Sequence, residues 1–185
     1  IFVTTMERAE LTAEFFNSPV SAFDDGIIFC ATTLTHPNTV KYLKGRNSSY
    51  IFRPLAYEFG FNDKDFGYLC AGPSAAHFAF DLAAYLEHEK IIFIGQDLAY
   101  GKNRSTHATG HTATEASQID KKQKTEYAPA YGGDGMVETM VTWNLFRQSF
   151  EAGIVKIKTL YENLQIYNCT EGGARIAGTI EVPFK

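Results

Sequence analysis

The stretch Ile91-Ile92-Phe93-Ile94-Gly95-Gln96-Asp97-Leu98-Ala99-Tyr100 decides the architecture. Four apolar residues, three of them β-branched, run straight into a glycine and a short polar tail. That is the pattern of a strand buried on both faces and ending in a turn. Just upstream, Ser74 opens a helical stretch, Ala75–Glu87, in which Phe78, Leu82 and Tyr85 recur every three to four residues. Gly26-Ile-Ile-Phe-Cys-Ala31 is a second buried run, preceded by an amphipathic segment, Arg8–Phe16, with Leu11, Phe15 and Phe16 on one side. Further out, Ile1–Thr5 alternates and reads as a strand, Thr35 as the N-cap of a helix over Asn38–Leu43, and Tyr50–Phe52 as a short strand. Glu138–Asn163 reads as one long helix with Val141, Leu145, Phe146, Phe150 and Ile154 along a face, and Leu164–Tyr167 as the last strand. Helices alternating with apolar strands predict a three-layer, Rossmann-like α/β fold with a mostly parallel sheet flanked by helices.

Between Gln96 and Gly135 the periodicity disappears, and Gly, Thr and His dominate. A loop of that length in a compact domain is usually functional, so an active-site loop is expected over about 96–135. The chain of 185 residues is expected to form one domain, 1–185. It opens inside a strand-like run without Met, so a fragment truncated at its N-terminal strand is expected. Its 45% hydrophobic and 21% charged residues argue for a packed core rather than disorder. A net charge of −4 disfavours a nucleic-acid partner. No run approaches the roughly 18 apolar residues of a membrane crossing, and the opening residues lack the pattern of a signal peptide. Cys30, Cys70 and Cys169 are odd in number and widely spaced, fitting buried thiols of a reducing cytoplasm better than disulfides or a metal site.

Ligands of open α/β sheets bind beyond the carboxyl ends of the strands. Three such ends carry candidates: Thr5 after the first strand, Gln96, Asp97 and Tyr100 after Ile91–Ile94, and Thr170, Glu171 and Gly172 after Leu164–Tyr167. Gly72 and Ser74 precede a helix whose free N–H groups suit a phosphate, or Ser74 is a plain cap. Asp97 reads either as a Mg²⁺ or hydroxyl ligand or as an Asx-turn residue. His107 and His111 are four apart, but Gly110 and the Thr-rich surroundings disfavour a helix there, so no metal ligand set is read. A loop histidine binding phosphate or relaying a proton fits better. Tyr100, Tyr127 and Tyr131 fall in the same loop and are candidates to stack on a base or sugar. His36 reads as turn chemistry and His88 as an offset to a helix C-terminus.

The succession I-I-F-I-G-Q-D-L-A-Y at Ile91–Tyr100, T-H-A-T-G at Thr106–Gly110 and Y-N-C-T-E-G-G-A-R-I-A-G-T at Tyr167–Thr179 resembles the motility accessory factor (Maf) family, as does T-T-M-E-R at the start. The resemblance implies a cytoplasmic glycosyltransferase that moves a nonulosonic acid, of the pseudaminic or legionaminic type, from a CMP-activated donor to Ser or Thr of flagellin. The same group includes a 6-hydroxymethylpterin diphosphokinase, which implies a Mg²⁺/ATP-dependent diphosphotransferase as the alternative. More distantly, Ala75–Ala84, Ile91–Ile94, Gly95-Gln96-Asp97, Tyr100 and Ser105–Ala108 resemble the bacterial sialyltransferases that use CMP-sialic acid. There Tyr100 matches one of two tyrosines that bind the departing phosphate, and His107 stands where the second would be. The resemblance leaves the catalytic base as His111 folded back, Asp134, or absent, since the family's histidine before the penultimate helix is replaced here by Tyr131-Gly-Gly-Asp134-Gly. A third reading is a non-catalytic flagellin-binding module, which the aromatic surplus suits.

Overall fold

The structure is a computed structural model that describes residues 1–6, 8–51, 69, 72–101, 104–106 and 124–185. It divides into two compact units, Ile1–Leu86 and Glu87–Lys185.

In the first unit, β1 (Phe2–Thr5), β2 (Ile28–Thr32) and β3 (Ser48–Ile51) form a parallel sheet in that order. The central strand β2 is the expected buried run, with Phe29, Cys30 and Ala31 inaccessible. Cys30, Phe78 and Leu82 pack on one side of it, and Phe29, Ala31 and Leu43 on the other. Helix α1 (Glu10–Ala13) tightens into a 3₁₀ turn, Glu14–Phe16. Its buried residue is Ala13, while Leu11 and Phe15 are exposed, so the amphipathic face expected there is corrected. A helix of one turn is too short for a three-residue stripe to share one side. Helix α2 (Pro37–Leu43) is capped by His36, whose Nδ1 accepts the Asn38 N–H at 3.2 Å, with Pro37 in the first helical position. Thr35, expected as the cap, is instead buried and donates its hydroxyl to the Thr5 carbonyl. Helix α3 (Ala75–Tyr85) buries Phe78, Phe80 and Leu82, whereas Tyr85 at its end is exposed.

Arg46 knots the loops of this unit together. Its guanidinium donates to Asp24, to the carbonyls of Phe16, Tyr42 and Ser18, and to the Ser18 hydroxyl. The Asp24 carboxylate also accepts the Ser21 N–H at 2.8 Å, and that bond, with Arg46 beside it, holds its pKa below the ordinary carboxylate value. A depressed folded-state pKa contributes stability that is full above about pH 3.9 and is lost as pH falls through the lower folded value. The stability gap between wild type and Asp24→Asn is therefore expected to hold above about pH 4 and to narrow as the pH falls below it, as read by urea melts at each pH.

In the second unit, β4 (Lys90–Phe93), β7 (Gln165–Asn168) and β8 (Ile180–Glu181) form a parallel sheet in the order β4-β7-β8. Phe93 faces Phe150 of the 20-residue helix α4 (Val141–Leu160), with ring centroids 5.1 Å apart. Ile92 and Ile94 are about half exposed, so this strand alternates and is not buried on both faces as expected. Residues 138–140, read as the start of the long helix, belong to strand β6 (Met136–Met140), which pairs antiparallel with β5 (Thr125–Pro129). The buried side of α4 is Asn144, Phe150, Ile154 and Ile157, and Leu145 points outward. Cys30 and Cys169 are buried free thiols, and burial raises the Cys30 pKa. Among the described residues no helix is long and apolar enough to cross a membrane. The α/β class with parallel sheets flanked by helices is as the sequence predicts.

Candidate functional site

Beyond the carboxyl end of β4 the chain turns at Gly95 and runs through Gln96, Asp97, Leu98, Ala99 and Tyr100 along one wall of a cleft of about 400 Å³. That is the size of a small-molecule site. Gly101, Ser105 and Thr106, Trp143 in the first turn of α4, and Gly173 beyond β7 complete the described lining.

The wall is held by hydrogen bonds from two sides. Gln96 N–H donates to Thr170 Oγ1 at 3.1 Å, and the Asp97 carbonyl accepts the Ala174 N–H at 2.7 Å. The Leu98 carbonyl accepts the Thr139 hydroxyl at 2.6 Å, and Tyr100 N–H donates to the Glu138 carbonyl at 2.9 Å. Thr170 is itself set by Asn168, whose side-chain oxygen accepts the Thr170 N–H at 3.1 Å. Asn168 is fully buried, and its side-chain nitrogen has no partner among the described residues.

The aromatic part of the cleft is Tyr100 against Trp143, with centroids 5.2 Å apart. Above the Tyr100 ring lies the Arg104 guanidinium, 4.8 Å from the centroid and paired with Glu138 at 3.4 Å. Sequence reasoning placed Gln96, Asp97 and Tyr100 here but overlooked Trp143 and Arg104. The signal for Trp143 was that it is the chain's one tryptophan and lies at a strand-to-helix junction.

The other candidates are distributed as follows. Thr170 joins the wall through Gln96, and Gly172 is next to the lining residue Gly173. The Glu171 carboxylate accepts the Phe184 N–H at 2.8 Å. Asp134 is exposed in the turn between β5 and β6 and outside the cleft's lining. Tyr131, expected as a stacking ring of an open loop, is instead tied to the sheet. Its hydroxyl lies 3.0 and 3.2 Å from the carbonyls of Asn168 and Val182, and burial, then the charge of Glu181, Cys169 and Glu171, raises its pKa. The phenol is thus a neutral donor. Tyr127 is exposed on β5. His107 and His111 lie outside the described residues. Among the described residues no group of three or more His, Cys, Asp or Glu is placed to hold a metal ion.

Thr5, Gly72 and Ser74 belong to the first unit. Ser74 caps α3, accepting the His77 N–H at 3.4 Å, and its hydroxyl lies 2.7 Å from His77 Nδ1. The Thr4 hydroxyl donates to the Ala75 carbonyl at 3.2 Å, so the end of β1, where Thr5 is buried, meets the first turn of α3.

Among solved structures, the fold is similar to a Maf glycosyltransferase from Magnetospirillum magneticum AMB-1, with a TM-score of 0.67 and 17% identity. The match covers 98% of this chain and 26% of that protein, so the chain spans about a quarter of its length. No curated protein matches the sequence. Residues 1–103 match the family described as 6-hydroxymethylpterin diphosphokinase MptE-like. With more than half of its length inside that match, the chain belongs to the MptE-like family.

Proposed function

We propose that the chain is the donor-binding portion of a nucleotide-sugar-dependent glycosyltransferase, and that the cleft beyond β4 holds the nucleotide-activated sugar. The observation that carries this reading is the cleft itself: a braced wall ending in a phenol, an indole opposite, and hydroxyls at Ser105 and Thr106. An aromatic pair offers a stacking surface for a base or sugar ring, and hydroxyls and N–H groups orient the polar parts of such a ligand. The similar fold of a Maf glycosyltransferase supports the reaction class.

Within that reading the donor is a CMP-activated nonulosonic acid and the acceptor a Ser or Thr hydroxyl of flagellin. Tyr100 and His107 donate hydrogen bonds to the phosphate as its bond to the sugar breaks, stabilising charge that develops only in the transition state. His111 or Asp134 accepts the proton of the attacking hydroxyl. Gln96, Asp97, Thr170, Glu171 and Gly172 shape the donor's pocket.

The family description favours a second reading, a diphosphotransferase using Mg²⁺ and ATP. Asp97 is then the carboxylate nearest the phosphates, whose own oxygens supply most of the metal's ligands. Calorimetry on the intact protein separates the two. Saturable binding of CMP in the 1–100 μM range is expected, with ATP·Mg²⁺ at least about tenfold weaker, and Tyr100→Phe is expected to weaken CMP by about five- to tenfold. ATP·Mg²⁺ binding tighter than CMP would establish the diphosphotransferase instead.

A further inference from the structure

Resting on the nucleotide-sugar reading of the cleft, we propose that Arg104 recognises the carboxylate of an acidic sugar, exchanging Glu138 for the ligand. The Arg104 N–H donates to the Gly101 carbonyl and the Gly101 N–H donates to the Ser105 carbonyl, both at 3.0 Å. Gly101 and Ser105 line the cleft. Arg104 stands at φ +56°, a left-handed conformation that a non-glycine residue adopts at a cost. The outcome is a guanidinium parked on the Tyr100 ring, at the edge of the aromatic lining.

Its present partner holds it loosely. The Arg104–Glu138 separation of 3.4 Å exceeds the roughly 2.7–2.9 Å of a charge-assisted hydrogen bond. The two side chains are 49% and 30% exposed, so water screens the pair and it contributes little stability. Arg147 in the same unit differs: its guanidinium donates to Asn144 at 2.7 Å and to Glu151 at 2.6 Å, and is nearly buried. A guanidinium stacked on an aromatic ring keeps its fork of N–H donors free in its own plane. A carboxylate presented to that fork in two parallel hydrogen bonds outcompetes Glu138, whereas a neutral sugar gives it nothing to bind.

The test uses calorimetry of the intact protein with CMP-N-acetylneuraminate and with CMP. Arg104→Asn removes the charge while suiting the left-handed backbone. It is expected to weaken the CMP-sugar by about 10- to 100-fold and CMP by less than about twofold. Arg104→Lys is expected to recover part of the loss. Glu138→Gln, which removes the competing carboxylate, is expected to tighten the CMP-sugar by about two- to fivefold without affecting CMP. Equal losses for both ligands in Arg104→Asn, or no tightening in Glu138→Gln, would overturn the assignment and leave the nucleotide reading standing. Wild type binding CMP and the CMP-sugar equally would do the same. Wild type binding neither would remove the nucleotide reading and this inference with it.

Discussion

Gly173→Ala is expected to lower the melting temperature by about 6–12 °C and to erase ligand binding in the cleft. Gly173 stands at φ +73°, and a Cβ built on it would lie 2.6 Å from Asp97 Cα and 2.7 Å from the Asp97 carbonyl carbon. Both obstacles are main chain, so no rotamer change relieves them. The segments must part, breaking the 2.7 Å hydrogen bond from Ala174 N–H to the Asp97 carbonyl. Left-handed strain and a main-chain clash together cost about 3 kcal/mol or more. At about 2–4 °C per kcal/mol for a chain of this size, that gives the stated shift. Gly172→Ala is the control: nothing lies within 4 Å of its built Cβ, and a change within about 1 kcal/mol is expected. Equal melting temperatures for the two variants would refute the close approach.

Arg46→Met is expected to destabilise the first unit by about 3–5 kcal/mol, read as a lowered urea midpoint with an unchanged slope. The Arg46 side chain is only 2% exposed, yet it is charged and satisfies three carbonyls, a hydroxyl and a carboxylate. Removing it leaves Asp24 without its counter-ion and takes a donor from each of the carbonyls of Phe16, Tyr42 and Ser18, of which Phe16 keeps the Ser18 N–H. The guanidinium carbon also lies 5.7 Å from the centroid of the Phe29 ring, which meets Phe16 edge-on. Methionine restores some of that packing but none of the donors. Lys44→Met, two residues away on the surface, is expected to change stability by less than about 0.5 kcal/mol. Lysine at position 46 cannot substitute, because a single ammonium does not reach five acceptors spread between Phe16 and Tyr42.

Several elements were legible because their sequences admit one reading. The run ending at Ala31 is a central parallel strand, Ser74 is a helix cap, and Gln96, Asp97 and Tyr100 do sit at a strand's carboxyl end in a cleft. The hairpin Thr125–Met140 was not legible. Tyr131-Gly-Gly-Asp-Gly is a five-residue turn without the Asn-Gly signal, and Met136–Met140 continues without a break into the helix beginning at Val141. A run crossing that boundary fits either structure, so the helix read from Glu138 took in the strand's last three residues. Arg104 and Trp143 were hidden for another reason. Trp143 meets Tyr100 from 43 residues away and Arg104 meets Glu138 from 34 residues away, and no local pattern encodes those contacts.

The four hydrogen bonds that fasten Gln96, Asp97, Leu98 and Tyr100 to Thr170, Ala174, Thr139 and Glu138 have a dynamic implication. A rim stitched at four successive points is already ordered before any guest arrives, so little freedom is left there to be lost on association. Adaptation to guests of different shape then rests with the rotamers of Tyr100, Trp143 and Arg104, and slow amide exchange at Gln96 and Tyr100 is its signature in solution.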